Sequence, residues 1–159
     1  MNLRALRSAC AAFCLAFAAF SAAATSTAQA AEPTGTWLTQ NGDAHIRIAK
    51  CGANVCGTIV WLRNPIDATT GEAPIDLRNP DPAQRERKIM GLRIFAMAPD
   101  GSGAYAGRIY NTDDGNTYPA KITVRPDQYL EIQGCSGAVC GKELWSKVEG
   151  QSGSAQNRK

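Results

Sequence analysis

Five side chains able to grip an anion or shift a proton crowd into one stretch of this chain: Asp76, Asn79, Asp81, Arg85 and Arg87. Arginine forks hold a carboxylate or phosphate through paired hydrogen bonds, and a nearby carboxylate offers a general base. A second set, Arg108, Tyr110, Tyr118 and Lys121, falls on two alternating segments and could line a cavity, although alternation alone leaves open which face is inside. His45 is the only histidine, which excludes multi-histidine metal sites, and it sits on the polar phase of its segment as a surface residue would. Asp113-Asp114-Gly115-Asn116 has the beginnings of a calcium loop but lacks the remaining ligands and the terminal glutamate. A hairpin turn explains it better. No Gly-x-Ser-x-Gly elbow, phosphate-cradling glycine loop or dinucleotide fingerprint occurs, so no cofactor and no metal is expected.

The acidic and basic groups of 76–87 lie inside a longer interruption, residues 63–89, that also holds Pro65, Pro74, Pro80 and Pro82. Two roles fit it. Its aspartates and arginines can pair with each other and with turn backbone, clamping the segment. Alternatively the segment is a lid over a binding site, since a plain connection between adjacent strands does not need this length. A short helical turn is expected over Pro82–Lys88, capped by Asp81.

Around this interruption the chain reads as short strands. Ala44, Ile46 and Ile48 alternate with polar neighbours, and residues 56–62 supply a partner strand. Further strand patterns cover 90–97, 104–110, 117–124, 129–134 and 141–148, separated by turns such as Pro99-Asp-Gly-Ser-Gly103 and Pro126-Asp127. About eight strands with hairpin-length connections and no long helix favour an antiparallel up-and-down barrel, which closes on itself and removes its edges.

Four cysteines fall in two matching segments. Ile46–Trp61 and Leu130–Trp145 align at a constant offset of 84, with Cys51, Cys56, Gly57 and Trp61 matching Cys135, Cys140, Gly141 and Trp145. Each reads as a strand running into a cysteine, four turn-forming residues, and a cysteine that opens the next strand. Opposed hairpin positions bring Cβ atoms within disulfide reach, so Cys51–Cys56 and Cys135–Cys140 are the expected bridges. Cross-linked pairings stay open at this level. A four-cysteine zinc site or a catalytic dithiol competes less well, because C-x4-C is wide for either. Trp61 and Trp145 read as packing residues.

The first residues carry Arg4 and Arg7, an apolar run from Cys10 to Phe20, and a small-x-small site at Ala28-Gln29-Ala30. That is the pattern of a cleaved export signal, residues 1–30, and points to a bacterial periplasm, where disulfides persist. No second apolar stretch is long enough to span a membrane. Of 17 basic and 14 acidic residues, two arginines fall in the signal, so the mature chain carries 15 − 14 = +1. This near-balance argues against nucleic-acid binding. Residues 149–159 lack any large apolar group and read as a disordered tail, leaving 31–148 as one domain.

Several pieces together resemble a bacterial secreted family known as domain of unknown function 2147. They are Gly35-x-Trp37, Cys56-Gly-Thr-Ile-Val-Trp-Leu62, Asp76-x-x-Asn79-Pro80, Arg85-x-Arg87, Gly91-Leu92, Gly107-x-Ile-Tyr110, Asp114-Gly-x-x-Tyr118, and Gly134-Cys135 with Gly141 and Trp145. The resemblance spans about residues 33–148 and implies a lipocalin-like, or calycin, barrel. In that superfamily the opening tryptophan, here Trp37, plugs the closed end, and a basic residue of the last strand covers it. Lys147 stands at that place. The family implies no reaction and no catalytic residue.

The sequence therefore points to a disulfide-stapled, all-β, lipocalin-like barrel with a long loop between its third and fourth strands, binding a small molecule or envelope component. Asp76, Asn79, Arg85, Arg87, Arg108, Tyr110 and Tyr118 are the candidate ligand contacts. A protein or cell-wall interaction module with a filled barrel and a cofactor-free enzyme using the Asp76–Arg87 loop are the alternatives.

Overall fold

Apolar residues at every second position favour a two-sided sheet, and most of the eight strands the chain forms carry that pattern. The computed structural model describes residues 31–149; the expected export signal and the tail beyond 149 lie outside them. The strands are β1 (Gly35–Leu38), β2 (Ala44–Cys51), β3 (Asn54–Leu62), β4 (Arg93–Pro99), β5 (Tyr105–Tyr110), β6 (Thr117–Val124), β7 (Leu130–Ser136) and β8 (Val139–Lys147). Each pairs antiparallel with its neighbour in sequence, and β8 returns to β1, giving a closed up-and-down barrel. The closing seam is short. Only Trp37↔Lys147 and Leu38↔Ser146 are in register there, and the Gln40 side chain extends the seam by accepting a hydrogen bond from the Leu144 backbone N–H at 2.8 Å.

The inward phase of the strands makes the core. Ile46 and Ile48, Val55 and Ile59, Phe95 and Met97, Ala120 and Ile122, Leu130 and Ile132 are all buried with Trp37 and Trp145. Each such aliphatic side chain contributes about 1.5–3 kcal/mol on burial. Gly57 faces inward beside Phe95, its register partner, and a methyl group on Gly57 would overlap the Phe95 ring.

At two boundaries the structure departs from the sequence expectation for identifiable reasons. β4 begins at Arg93 rather than Met90, because Leu92 N–H donates to Ile89 C=O at 3.1 Å and Gly91, at φ +85°, turns the chain first. The helical turn is a single 3-10 turn, Pro82–Gln84, with the Asp81 side chain capping Ala83 N–H. It stops there because residues 87–89 pair back on 74–76: Asp76 N–H donates to Arg87 C=O, Ile89 N–H donates to Pro74 C=O, and Ile75 bridges Lys88.

The two cysteine hairpins are not the same device. Both disulfides form, Cys51–Cys56 and Cys135–Cys140. However, the strands run to two-residue turns, Gly52-Ala53 and Gly137-Ala138, instead of four-residue ones. The positive-φ glycine is one place later in the second repeat (Gly52 at +69°, Gly137 at +58°), so the register differs by one residue. Cys135 lies opposite Cys140, whereas Cys51 lies opposite Asn54 and Cys56 opposite Ala49. The expectation of opposed cysteines holds for the second bridge and fails for the first.

Candidate functional site

Strand direction separates the two ends of the barrel. One end gathers the β2–β3, β4–β5 and β6–β7 turns with the entry to β1. There Trp37 is buried, its indole N–H donates to Pro33 C=O at 2.8 Å, and the Lys147 ammonium lies 5.7 Å from the ring centroid. The other end gathers the 39–43 loop, the long 63–92 loop, the 111–116 loop and the β7–β8 turn. It opens into a cavity of about 620 Å³. That volume lies within the ordinary range for small-molecule pockets.

The cavity exists because two inward positions carry no side chain. Gly134 of β7 and Gly141 of β8 are register partners, and a Cβ built on either meets no heavy atom within 4 Å. Ile46, Ile59, Ile94, Ile109, Ile132 and Trp145 give the hollow an apolar floor. Ile94 reaches it from a bulge: the β3–β4 register passes from Gly57↔Phe95 to Thr58↔Arg93, leaving Ile94 without a partner residue. Polar groups cluster at the rim. Trp145 Nε1 donates to Glu143 Oε2 at 2.9 Å, and Tyr118 OH donates to Asp114 Oδ2 at 2.6 Å. The Tyr118 hydrogen bond holds the Asp114 carboxyl below its ordinary range and raises the Tyr118 phenol.

The long loop is tied to the barrel at a separate point. The Asp76 side chain is wholly buried. Its Oδ1 accepts from Tyr110 OH at 2.6 Å, and its Oδ2 accepts from Asn79 Nδ2 at 2.9 Å and Arg87 Nε at 2.8 Å. Arg87 Nη2 completes the ion pair at 2.8 Å, and its guanidinium stands 5.5 Å from the Tyr110 ring centroid. Asn79 also donates to Tyr110 OH at 3.0 Å, and Arg85 Nε donates to Asn79 C=O at 2.8 Å. Burial pushes the Asp76 carboxyl up, but these three hydrogen bonds and the Arg87 charge together outweigh it and hold the group below the usual carboxylate range. Burial, then Asp76, pushes the Tyr110 phenol up. On the next turn a methyl group on Gly115 would overlap the Arg78 carbonyl, so the loop backbone rests directly on the β5–β6 connection.

Asp76, Asn79, Arg85, Arg87 and Tyr110 thus come together as one network, and Tyr110 reaches from it to the cavity rim. No residue of 63–92 lines the cavity. Tyr118 pairs with inward Ile109 and lines the cavity. Arg108 takes the opposite phase, exposed, donating to Thr117 C=O at 2.8 Å. Lys121 is engaged with Asp100 and Ser102 at the far end. His45 stacks on Trp61 with ring centroids 4.3 Å apart. Among the described residues, no three His, Cys, Asp or Glu side chains are grouped to hold a metal ion, and no helix is long and apolar enough to cross a membrane. Sequence reasoning missed Gly134, Gly141 and Glu143. Their signal was the inward phase shared with Ile132 and Trp145, in which a glycine pair means an empty space.

Comparison with known proteins agrees with this geometry. Residues 35–147 match a family described as uncharacterised protein conserved in bacteria, DUF2147. Among solved structures, protein HP1028 of Helicobacter pylori, described as belonging to the lipocalin family, superposes with a TM-score of 0.61 at 21% identity, covering 74% of this chain and 83% of that one. No curated protein matches the chain. The family match covers most of the chain, and the closed eight-stranded barrel accounts for the structural likeness: the chain belongs to the DUF2147 family and has a lipocalin-like fold.

Proposed function

We propose that this protein binds a small, largely apolar molecule in the open mouth of its barrel, outside the cytoplasm. The observation that carries the reading is the Gly134–Gly141 pair, which leaves a hollow of about 620 Å³ with an apolar floor at the open end of the barrel. Eight-stranded barrels are wide enough to hold one small ligand or to be filled by side chains. Two disulfides favour an oxidising compartment, as does the export-signal pattern of residues 1–30. The buried Asp76 network supports the mouth in this reading, with Tyr110 and Tyr118 as its contacts to the ligand. Every partner of Asp76 is a donor, so this carboxylate is committed to holding the loop and serves poorly as a proton acceptor.

The test fills the hollow. Titration with the neutral fluorescent dye N-phenyl-1-naphthylamine should show saturable binding to the oxidised protein. Gly134→Leu or Gly141→Leu should abolish that binding while leaving the melting temperature near that of the parent. Unchanged dye binding in both variants would place the site elsewhere.

A further inference from the structure

We propose that the mouth selects an amphiphile with a positively charged head, the apolar body lying on the isoleucine and Trp145 floor and the cation beside the Glu143 carboxylate. The proposal deepens the binding reading above and rests on it. Glu143 alternates with Gly141 and Trp145 on β8 and stands opposite Ile132, so it belongs to the inward phase at the level where floor gives way to rim. The buried Trp145 holds it there through the 2.9 Å bond from Nε1 to Oε2. A donor at one oxygen leaves the carboxylate's charge uncompensated, and among the described residues no lysine or arginine forms an ion pair with it. The adjacent Lys142 takes the other phase, its ammonium 2.7 Å from Glu131.

The remaining charges of the lining are mostly of the same sign. Asp43 and Asp113 are the other acidic residues there, and Lys142 is the one basic residue. Asp43 is partly offset by Arg63 at 3.6 Å, whose other hydrogen bonds go to the Gly42 and Asn41 carbonyls. The mouth therefore presents a negative rim over an apolar floor. A concave site lined by one sign of charge attracts the opposite sign and rejects its own.

Decyltrimethylammonium and decyl sulfate share a tail and differ in the sign of the head. Each, below its micelle-forming concentration, is competed against bound N-phenyl-1-naphthylamine on the oxidised protein. The ammonium compound should displace the dye at a concentration about fivefold lower, a ratio equivalent to the upper end for a solvent-accessible ion pair. The preference should shrink as salt is added. Glu143→Gln should bring the two competitors close together, each displacement being read against that variant's own dye affinity. Equal displacement by both compounds, stronger displacement by the sulfate, or a preference that survives Glu143→Gln would overturn the charge selection and leave the cavity reading standing. Failure of the dye itself to bind would overturn both.

Discussion

Tyr110 and Asp76, 34 residues apart, are joined by a hydrogen bond of 2.6 Å from the phenol to carboxylate Oδ1. This bond fastens the long loop to β5. Tyr110→Phe removes one donor from a buried carboxylate and should cost about 1.5–3 kcal/mol, the range for hydrogen bonds to charged groups. Urea unfolding of the two proteins measures it directly, and equal midpoints would refute the fastening role.

The same network predicts a pH window. The folded state lowers the Asp76 pKa, so the unfolded chain takes up the proton more readily. Its stabilisation is complete above the ordinary carboxylate range, about pH 4, and is lost as pH falls through the depressed folded value. Tyr110 is raised, so its contribution is complete below about pH 10 and is lost as pH rises through the raised value. Proteolysis within 63–75 should therefore accelerate at both extremes. Asp76→Asn should erase the acid arm, and an unaltered acid arm in that variant would assign it to another group.

Arg87→Ala separates clamp from lid. The guanidinium is 37% exposed, so much of its ion pairing is screened, but it supplies two donors to buried Asp76. A clamp loses melting temperature and keeps dye affinity. A lid that touches ligand loses affinity and keeps melting temperature. Because no residue of 63–92 lines the cavity, we expect the first result.

Gly57 and Gly141 occupy equivalent places in the repeat and should respond oppositely to the same change. Gly57→Ala drives a methyl into Phe95 and should cost about 1–3 kcal/mol, as overpacking does. Gly141→Ala meets open space and should be near neutral. Calorimetry of the pair checks the claim that one repeat is filled and the other hollow, and equal losses would contradict it.

Trp37→Ala empties the closed end. Its indole is 2% exposed and bonded to Pro33. The loss should be about 3–5 kcal/mol, and a parental melting curve would exclude the plug.

Period-two alternation made the barrel legible in the sequence, since Ile46, Ile48, Ile122 and Ile132 had to share one inner face. The loop cluster was legible too, because Asp and Arg in a proline-rich segment pair locally. The face of Arg108 and Tyr110 was not, as a strand whose two phases are both mixed gives no sign of which is inside; only the Ile109↔Tyr118 register decides it. The one-residue register difference between the hairpins was hidden because it depends on which turn residue adopts positive φ. The cavity was hidden for a related reason. Gly57 and Gly141 look alike in sequence, and what differs is a residue far along the chain, Phe95, that covers the first and has no counterpart over the second.

The short β1–β8 seam has a consequence for how the chain assembles. Every other ladder joins strands adjacent in sequence, six of them as short-looped hairpins, two of these cross-linked, and β3–β4 across the long 63–92 loop. Only the last ladder pairs the two ends of the chain, and it does so over two register pairs. Loop-closure entropy falls on that step, which makes it the last to form and the first to open. Amide protons of Leu144 and its β8 neighbours should exchange through brief ring openings that leave the hairpins intact, and each opening would briefly turn the barrel into a curled sheet with its mouth widened from the side.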